Sequence, residues 1–184
     1  MLYRKIASYI EEYLKSENDK ILLIEGARQI GKSFIIREVG KQTYPNFIEL
    51  NFVEDDEGPQ LLKNIHSTEE FYLRLSAMSG IELGSYADTL IFLDEIQHYS
   101  QYLTLLKFFR QEHKFRFIAS GSLLGITLKK TTSIPVGSLI RKRMYQLDFE
   151  EWLIANGFGE DVLKYLKECY VNRSSLSEDM HQYV

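Results

Sequence analysis

Residues 26 to 33, Gly26-Ala27-Arg28-Gln29-Ile30-Gly31-Lys32-Ser33, set two glycines five positions apart and follow the second with a lysine and a hydroxyl. That spacing suits the binding of a polyphosphate chain. Glycines let the backbone turn with positive φ and pass close to phosphate oxygens. Main-chain N–H groups then converge on the anion, and Lys32 supplies a mobile point charge for the β- and γ-phosphates. The Ser33 hydroxyl, one residue on, is placed to ligate a Mg²⁺ that bridges those phosphates. The chain meets every specified position of G-x-x-x-x-G-K-[ST], which a random sequence of this length does roughly once in two hundred. Ala27, Arg28, Gln29 and Ile30 are expected to contribute backbone amides rather than side chains, and Phe34 continues the same first helical turn.

A second group of candidates is the pair Asp94-Glu95, directly after the apolar run Leu90-Ile91-Phe92-Leu93. Both carboxylates then stand at the C-terminal end of a buried strand, where open parallel sheets bind their ligands. Asp94 is placed to hold Mg²⁺, usually through water, and Glu95 to orient and polarise an attacking water. Alone, an acidic pair after a strand is more often the start of a loop; a phosphate loop at the same edge reverses that balance. A water-activating acid favours hydrolysis over transfer to a second substrate, which would need its own pocket. Phe115 to Ala119 reads as another strand, ending in Ser120-Gly121-Ser122. The Ser120 hydroxyl is placed either to sense the γ-phosphate or the water, or simply to make a turn. The candidate catalytic residues are thus Lys32, Glu95 and Ser120, and the candidate metal ligands Ser33 and Asp94.

The elements that must position these groups follow from periodicity. Leu2, Ile6, Ile10 and Tyr13 recur at helical spacing. Ile21-Leu22-Leu23-Ile24 is continuously apolar, as in a strand covered on both faces. A helix is expected from the phosphate loop to about Gly40, where glycine is a natural stop. Asn46 to Phe52 reads as a strand, and Glu54 to Gly58 as an acidic loop. Pro59 to His66 and Thr68 to Met78 read as helices, the second capped by Ser67 or Thr68. A helix with Tyr102, Leu105, Leu106 and Phe109 on one face precedes the Phe115 strand. A Lys129 to Ser133 loop leads to a fifth strand at about Ser138 to Leu147. This alternation implies a parallel α/β sheet. Residues 1–147 are expected to form the core with its N-terminal helix, and residues 148–184 a helical tail with exposed apolar residues such as Trp152 and Tyr165.

Composition narrows the function classes. A 184-residue chain that is 45% hydrophobic buries a core without staples. The formal charge of −4 and pI of about 5.6 provide no global attraction to nucleic acid. The lone Cys169 and four scattered histidines suggest neither a disulfide nor a zinc site. No signal peptide or membrane-spanning run is evident, so a cytoplasmic protein without membrane association is expected. The basic cluster Arg141-Lys142-Arg143, with Lys129-Lys130 before it, reads as a solvated edge, an arginine finger for a neighbouring subunit, or a nucleic-acid contact. No aromatic interleaving or helix-turn-helix pattern supports the last.

Together these residues resemble the AAA-like P-loop ATPases of bacteria and archaea that open with G-x-R-Q-x-G-K-[ST]. The matches are Gly26 through Ser33, Leu93-Asp94-Glu95-Ile96-Gln97, Ala119-Ser120-Gly121-Ser122, Ile134-Pro135-Val136-Gly137, and Leu147-Asp148-Phe149-Glu150-Glu151-Trp152-Leu153. The resemblance implies a three-layer α/β sandwich with a parallel five-stranded sheet in the order 5-1-4-3-2 and ATP with Mg²⁺ at the strand ends. It implies an ATPase whose nucleotide state drives a conformational change. It also implies a longer protein, so a homo-oligomer or a further C-terminal domain is the expected partner. Gln146-Leu147-Asp148 departs from the proline and serine usual there, which affects the hinge into the tail and not the ATP site. Two other functions remain open: a nucleotide-gated binding module with little turnover, and a small-molecule kinase, against which Glu95 counts.

Overall fold

In the computed structural model the strands Ile21–Glu25, Thr89–Asp94 and Arg116–Gly121 are buried end to end, whereas in Asn46–Asn51 only Ile48 and Leu50 are buried. The structure describes residues 2–51, 65, 67–98, 100–122, 136–178 and 180. The expected helix over 59–66 and the loop Lys129–Ser133 lie outside them, apart from Ile65, which belongs to no element.

The elements are α1 (Lys5–Lys15), β1 (Ile21–Glu25), α2 (Lys32–Thr43), β2 (Asn46–Asn51), α3 (Thr68–Ser79), β3 (Thr89–Asp94), a 3-10 turn (Ile96–His98) and α4 (Ser100–Glu112). There follow β4 (Arg116–Gly121), a second 3-10 turn (Val136–Ser138), β5 (Leu139–Arg143), α5 (Phe149–Ala155) and α6 (Glu160–Asn172). The five strands form one sheet in the order β2-β3-β4-β1-β5, every pair parallel. Read from β5, this is the 5-1-4-3-2 order that the resemblance implies.

Two compact units are present, residues 6–145 and residues 1–5 with 146–184. In the first, the sheet separates two apolar layers. Phe71, Tyr72 and Leu75 of α3 and Leu106 and Phe109 of α4 pack on the face carrying Leu23, Leu50, Leu93 and Phe117. Ile10 and Tyr13 of α1 and Ile35, Ile36 and Val39 of α2 pack on the opposite face, against Leu22, Ile24, Phe92 and Ile118. This is the three-layer α/β architecture of P-loop NTPases, and it buries every strand that leads to the phosphate loop or the Asp94 edge.

Local boundaries differ from the sequence reading in instructive ways. Gly40 does not stop α2, which continues to Thr43. A Cβ at position 40 would lie 2.5 Å from the Phe47 ring and 3.1 Å from Leu90, so glycine there lets the helix lie close on the sheet. β5 ends at Arg143, not near Leu147, and Leu2 precedes α1 and is exposed. Ser67 is the cap of α3, its hydroxyl accepting from Glu70 N at 3.1 Å.

The opposite edge of the sheet is tied by a buried arginine. Arg116, at the start of β4, is 1% exposed. Its guanidinium lies 4.1 Å from the centroid of the Tyr13 ring and donates to the carbonyls of Tyr13 and Asn18 and to the Tyr86 hydroxyl. The Tyr13 hydroxyl donates its single hydrogen to Lys20 O at 2.8 Å, with Phe117 O also in reach at 3.2 Å, and accepts from Leu22 N at 3.2 Å. The turn before β1 is thereby pinned to β4, its parallel neighbour in the sheet. No carboxylate pairs with Arg116 among the described residues, so stacking and carbonyl dipoles hold the charge. Arg116→Ala is expected to cost about 3 kcal/mol or more, combining a cavity with orphaned acceptors, and Arg116→Met to recover part by refilling the volume. Urea unfolding reads both, and an alanine variant within about 1 kcal/mol of the parent contradicts the assignment.

In the second unit, Asp148 caps α5 in a capping box with Glu151. Lys5 Nζ bridges Asp148 at 2.7 Å and Glu150 at 2.8 Å, and the Lys5 amide donates to Glu151 Oε1 at 2.8 Å. Residues 148–172 are mainly helical. Trp152 is exposed as expected, whereas Tyr165 is half-buried and its hydroxyl accepts from Ser177 N at 3.0 Å.

Candidate functional site

Because β4 lies between β1 and β3, all three C-terminal ends meet at one edge. Glu25 is in register with Gly121, and Gly26 N donates to Gly121 O at 3.4 Å, so the loop leaves β1 bonded to the end of β4. The two loop glycines serve different ends. Gly31 takes φ 91° and opens α2 with no side-chain cap, leaving the helix N-terminus open to an anion. Gly26 has no positive φ; a Cβ there would lie 2.5 Å from Met144 O. Gln29 also turns left-handed, at φ 63°. Ala27, Arg28 and Gln29 are exposed, Ile30 and Ser33 are half-buried, and Phe34 is exposed on the first turn of α2.

Lys32 is only 4% exposed, and its Nζ folds back to donate to Ala27 O at 2.8 Å and Gly26 O at 3.2 Å. Burial holds its ammonium pKa below the ordinary value, while the charges of Glu95 and then Asp94 pull it up. Electrostatics therefore connects the loop lysine to both carboxylates.

Asp94, the last residue of β3, is 1% exposed. Its Oδ1 accepts from the Ser120 hydroxyl and from Glu95 N at 3.0 Å. Among the described residues, Oδ2 carries no hydrogen bond. Ser120 is fully buried within β4, so its hydroxyl serves Asp94 and not a turn. Glu95 takes φ 52°, an uncommon and mildly strained conformation for a glutamate. Ile96, 0% exposed, enters the core behind it, so the left-handed step turns the Glu95 side chain away from that core. Its Oε2 accepts from Gln97 Nε2 and from Ser122 Oγ, the latter at 3.2 Å.

The donor set bears on Mg²⁺. Among the described residues no group of three or more His, Cys, Asp or Glu could hold a metal. A buried carboxylate with one uncommitted oxygen, together with a half-buried loop hydroxyl at Ser33, fits an ion that takes one or two protein oxygens and completes its shell with phosphate and water.

The basic cluster on β5 is partly committed within the chain. Arg141 Nε pairs with Glu25, so Arg141 is not the free cation that a finger for a neighbouring subunit needs. Lys142 Nζ lies 4.2 Å from the centroid of the Tyr9 ring. Arg143 is exposed and in register with Glu25.

The sequence reading did not find the hydrogen-bonding roles of Gln97, Ser122 and the Arg28 side chain. Arg28 Nε approaches Ser122 Oγ at 3.5 Å, a contact spanning 94 positions that no spacing rule announces. Among the described residues, no helix is long and apolar enough to cross a membrane.

No curated protein matches the chain. Residues 18–153, about three quarters of the chain, match the family described as AAA domain. With a parallel sheet in P-loop NTPase order, the chain belongs to this family of nucleotide-binding, ATPase-type domains.

Proposed function

We propose that this domain binds ATP with Mg²⁺ at the ends of β1, β3 and β4, hydrolyses the β–γ phosphoanhydride, and uses the change of nucleotide state to change conformation. The observation that carries the reading is a desolvated lysine, Lys32, sharing one sheet edge with two carboxylates, Asp94 and Glu95. Phosphate oxygens replace the Gly26 and Ala27 carbonyls as partners of Lys32, and the amides of Gly26 to Phe34 cradle the chain. Ser33 and Asp94 hold Mg²⁺, which when bound neutralises phosphate charge and polarises the scissile bond. Ser120 keeps Asp94 in its rotamer. Glu95 accepts a proton from the attacking water, and the β-phosphate oxygen leaves into the Lys32 and amide cradle.

A nucleotide-gated binding module with little turnover is the second reading. The Glu25–Arg141 pair favours it, because it removes one of two candidate arginines from service. An arginine at the γ-phosphate is worth about 10³- to 10⁵-fold in rate. Under the leading reading, Arg143 of a second copy supplies it, and turnover is slow in dilute protein. Phosphate release per molecule, measured from dilute to concentrated protein, is expected to rise with concentration. No release above the spontaneous rate at any concentration leaves only the binding module. A specific activity that is high and flat shows the site to be complete within one chain.

A further inference from the structure

A glutamate that activates water needs one carboxylate oxygen fixed and the other free, since a swinging carboxylate loses the orientation on which the rate depends. The hydrogen bonds around Glu95 have that asymmetry. Gln97 Nε2 and Ser122 Oγ both donate to Oε2, and among the described residues nothing donates to Oε1.

The donors are themselves held. Ser122 N donates to Gln97 Oε1 at 3.2 Å, which settles which end of the Gln97 amide faces the carboxylate. The second amide hydrogen of Gln97 goes to Ser122 Oγ at 3.1 Å. Ser122 Oγ also accepts from Arg28 Nε at 3.5 Å and gives its single hydrogen to Glu95. Its donor and both lone pairs are therefore used, as are both donors of the Gln97 amide. Ser122 is 2% exposed, so water competes little for these bonds. The ring joins the phosphate loop, the turn after β3 and the end of β4.

We propose that Gln97 and Ser122 are positioning residues that clamp Glu95 through Oε2 and present Oε1 to the attacking water, with Arg28 linking the clamp to the phosphate loop. The proposal rests on the reading of Glu95 as the water-activating group.

The test is single-turnover hydrolysis of Mg-ATP by the full chain, with ATP affinity measured separately. Ser122→Ala and Gln97→Ala are each expected to slow hydrolysis by about 10- to 100-fold with affinity unchanged. Ser122→Thr, which keeps the hydroxyl, is expected to restore most of the rate. In a Glu95→Gln background, Ser122→Ala is expected to add no further loss, because a residue acting through Glu95 has nothing left to position. Rates unchanged or raised in both alanine variants overturn the proposal, as does an equal loss from Ser122→Ala with and without Glu95. A Glu95→Gln variant as fast as the parent overturns the reading of Glu95, and the clamp with it. A slow Glu95→Gln with unaffected Ser122→Ala and Gln97→Ala overturns the clamp alone. Retained ATP affinity in each variant separates these effects from misfolding.

Discussion

Lys32→Ala is expected to weaken Mg-ATP binding by about 10²- to 10³-fold while leaving the unfolding midpoint close to that of the parent. Truncating one member of a buried, hydrogen-bonded charge contact costs about 2 to 5 kcal/mol, and a tenfold change in affinity corresponds to about 1.4 kcal/mol. Lys32 lies in the middle of that range, because it is buried with its Nζ already aimed along the loop at the Gly26 and Ala27 carbonyls. Stability is spared because this lysine contributes little to the empty fold, where burial disfavours its charge. Titration calorimetry gives the affinity. Equal values for variant and parent would sink the assignment of the loop.

The same residue makes binding depend on pH in a stated direction. In the folded chain the Lys32 pKa lies below its ordinary 10.5, chiefly through burial. Between that lowered value and 10.5 the unfolded chain binds more protons than the folded one, so the stability of the empty domain rises with pH across this window. An anion beside the ammonium opposes the shift, so ATP binding takes up a proton there and its affinity falls as pH rises. Calorimetry in alkaline buffers of differing ionisation heat measures that uptake. A proton count of zero throughout the window places the phosphates away from Lys32.

Glu95→Gln is expected to retain Mg-ATP affinity, or tighten it slightly by removing a negative charge from beside Lys32, while slowing hydrolysis at least about 10²-fold. The amide oxygen of glutamine can still accept from Gln97 and Ser122, so the variant changes basicity more than shape. The left-handed step at residue 95, φ 52°, is open to glutamine as to glutamate, and the local backbone is expected to survive. Single-turnover phosphate release reads the rate. Undiminished hydrolysis moves the water-activating role to another group.

Sequence by itself determined the parts of this protein whose chemistry is contiguous. Gly26 through Ser33 stand out as a motif because amides that cradle a phosphate must be successive, and Asp94 with Glu95 because they end and follow a buried strand. Uninterrupted apolar runs such as Ile21 to Ile24 identified strands covered on both faces, and alternation with helices identified a parallel sheet. Tertiary structure decided everything that depends on one segment meeting another. Gly40 carried a helix-stop signal, and only its close packing on Phe47 and Leu90 explains why it sits inside α2. Ser120 was ambiguous until β4 enclosed it and gave its hydroxyl to Asp94, 26 positions away. The pairing of Arg141 with Glu25 spans 116 positions, and the clamp on Glu95 joins residues up to 94 apart. Local periodicity and motif spacing carry no information about such contacts, because each is selected by which strand ends the sheet order brings side by side.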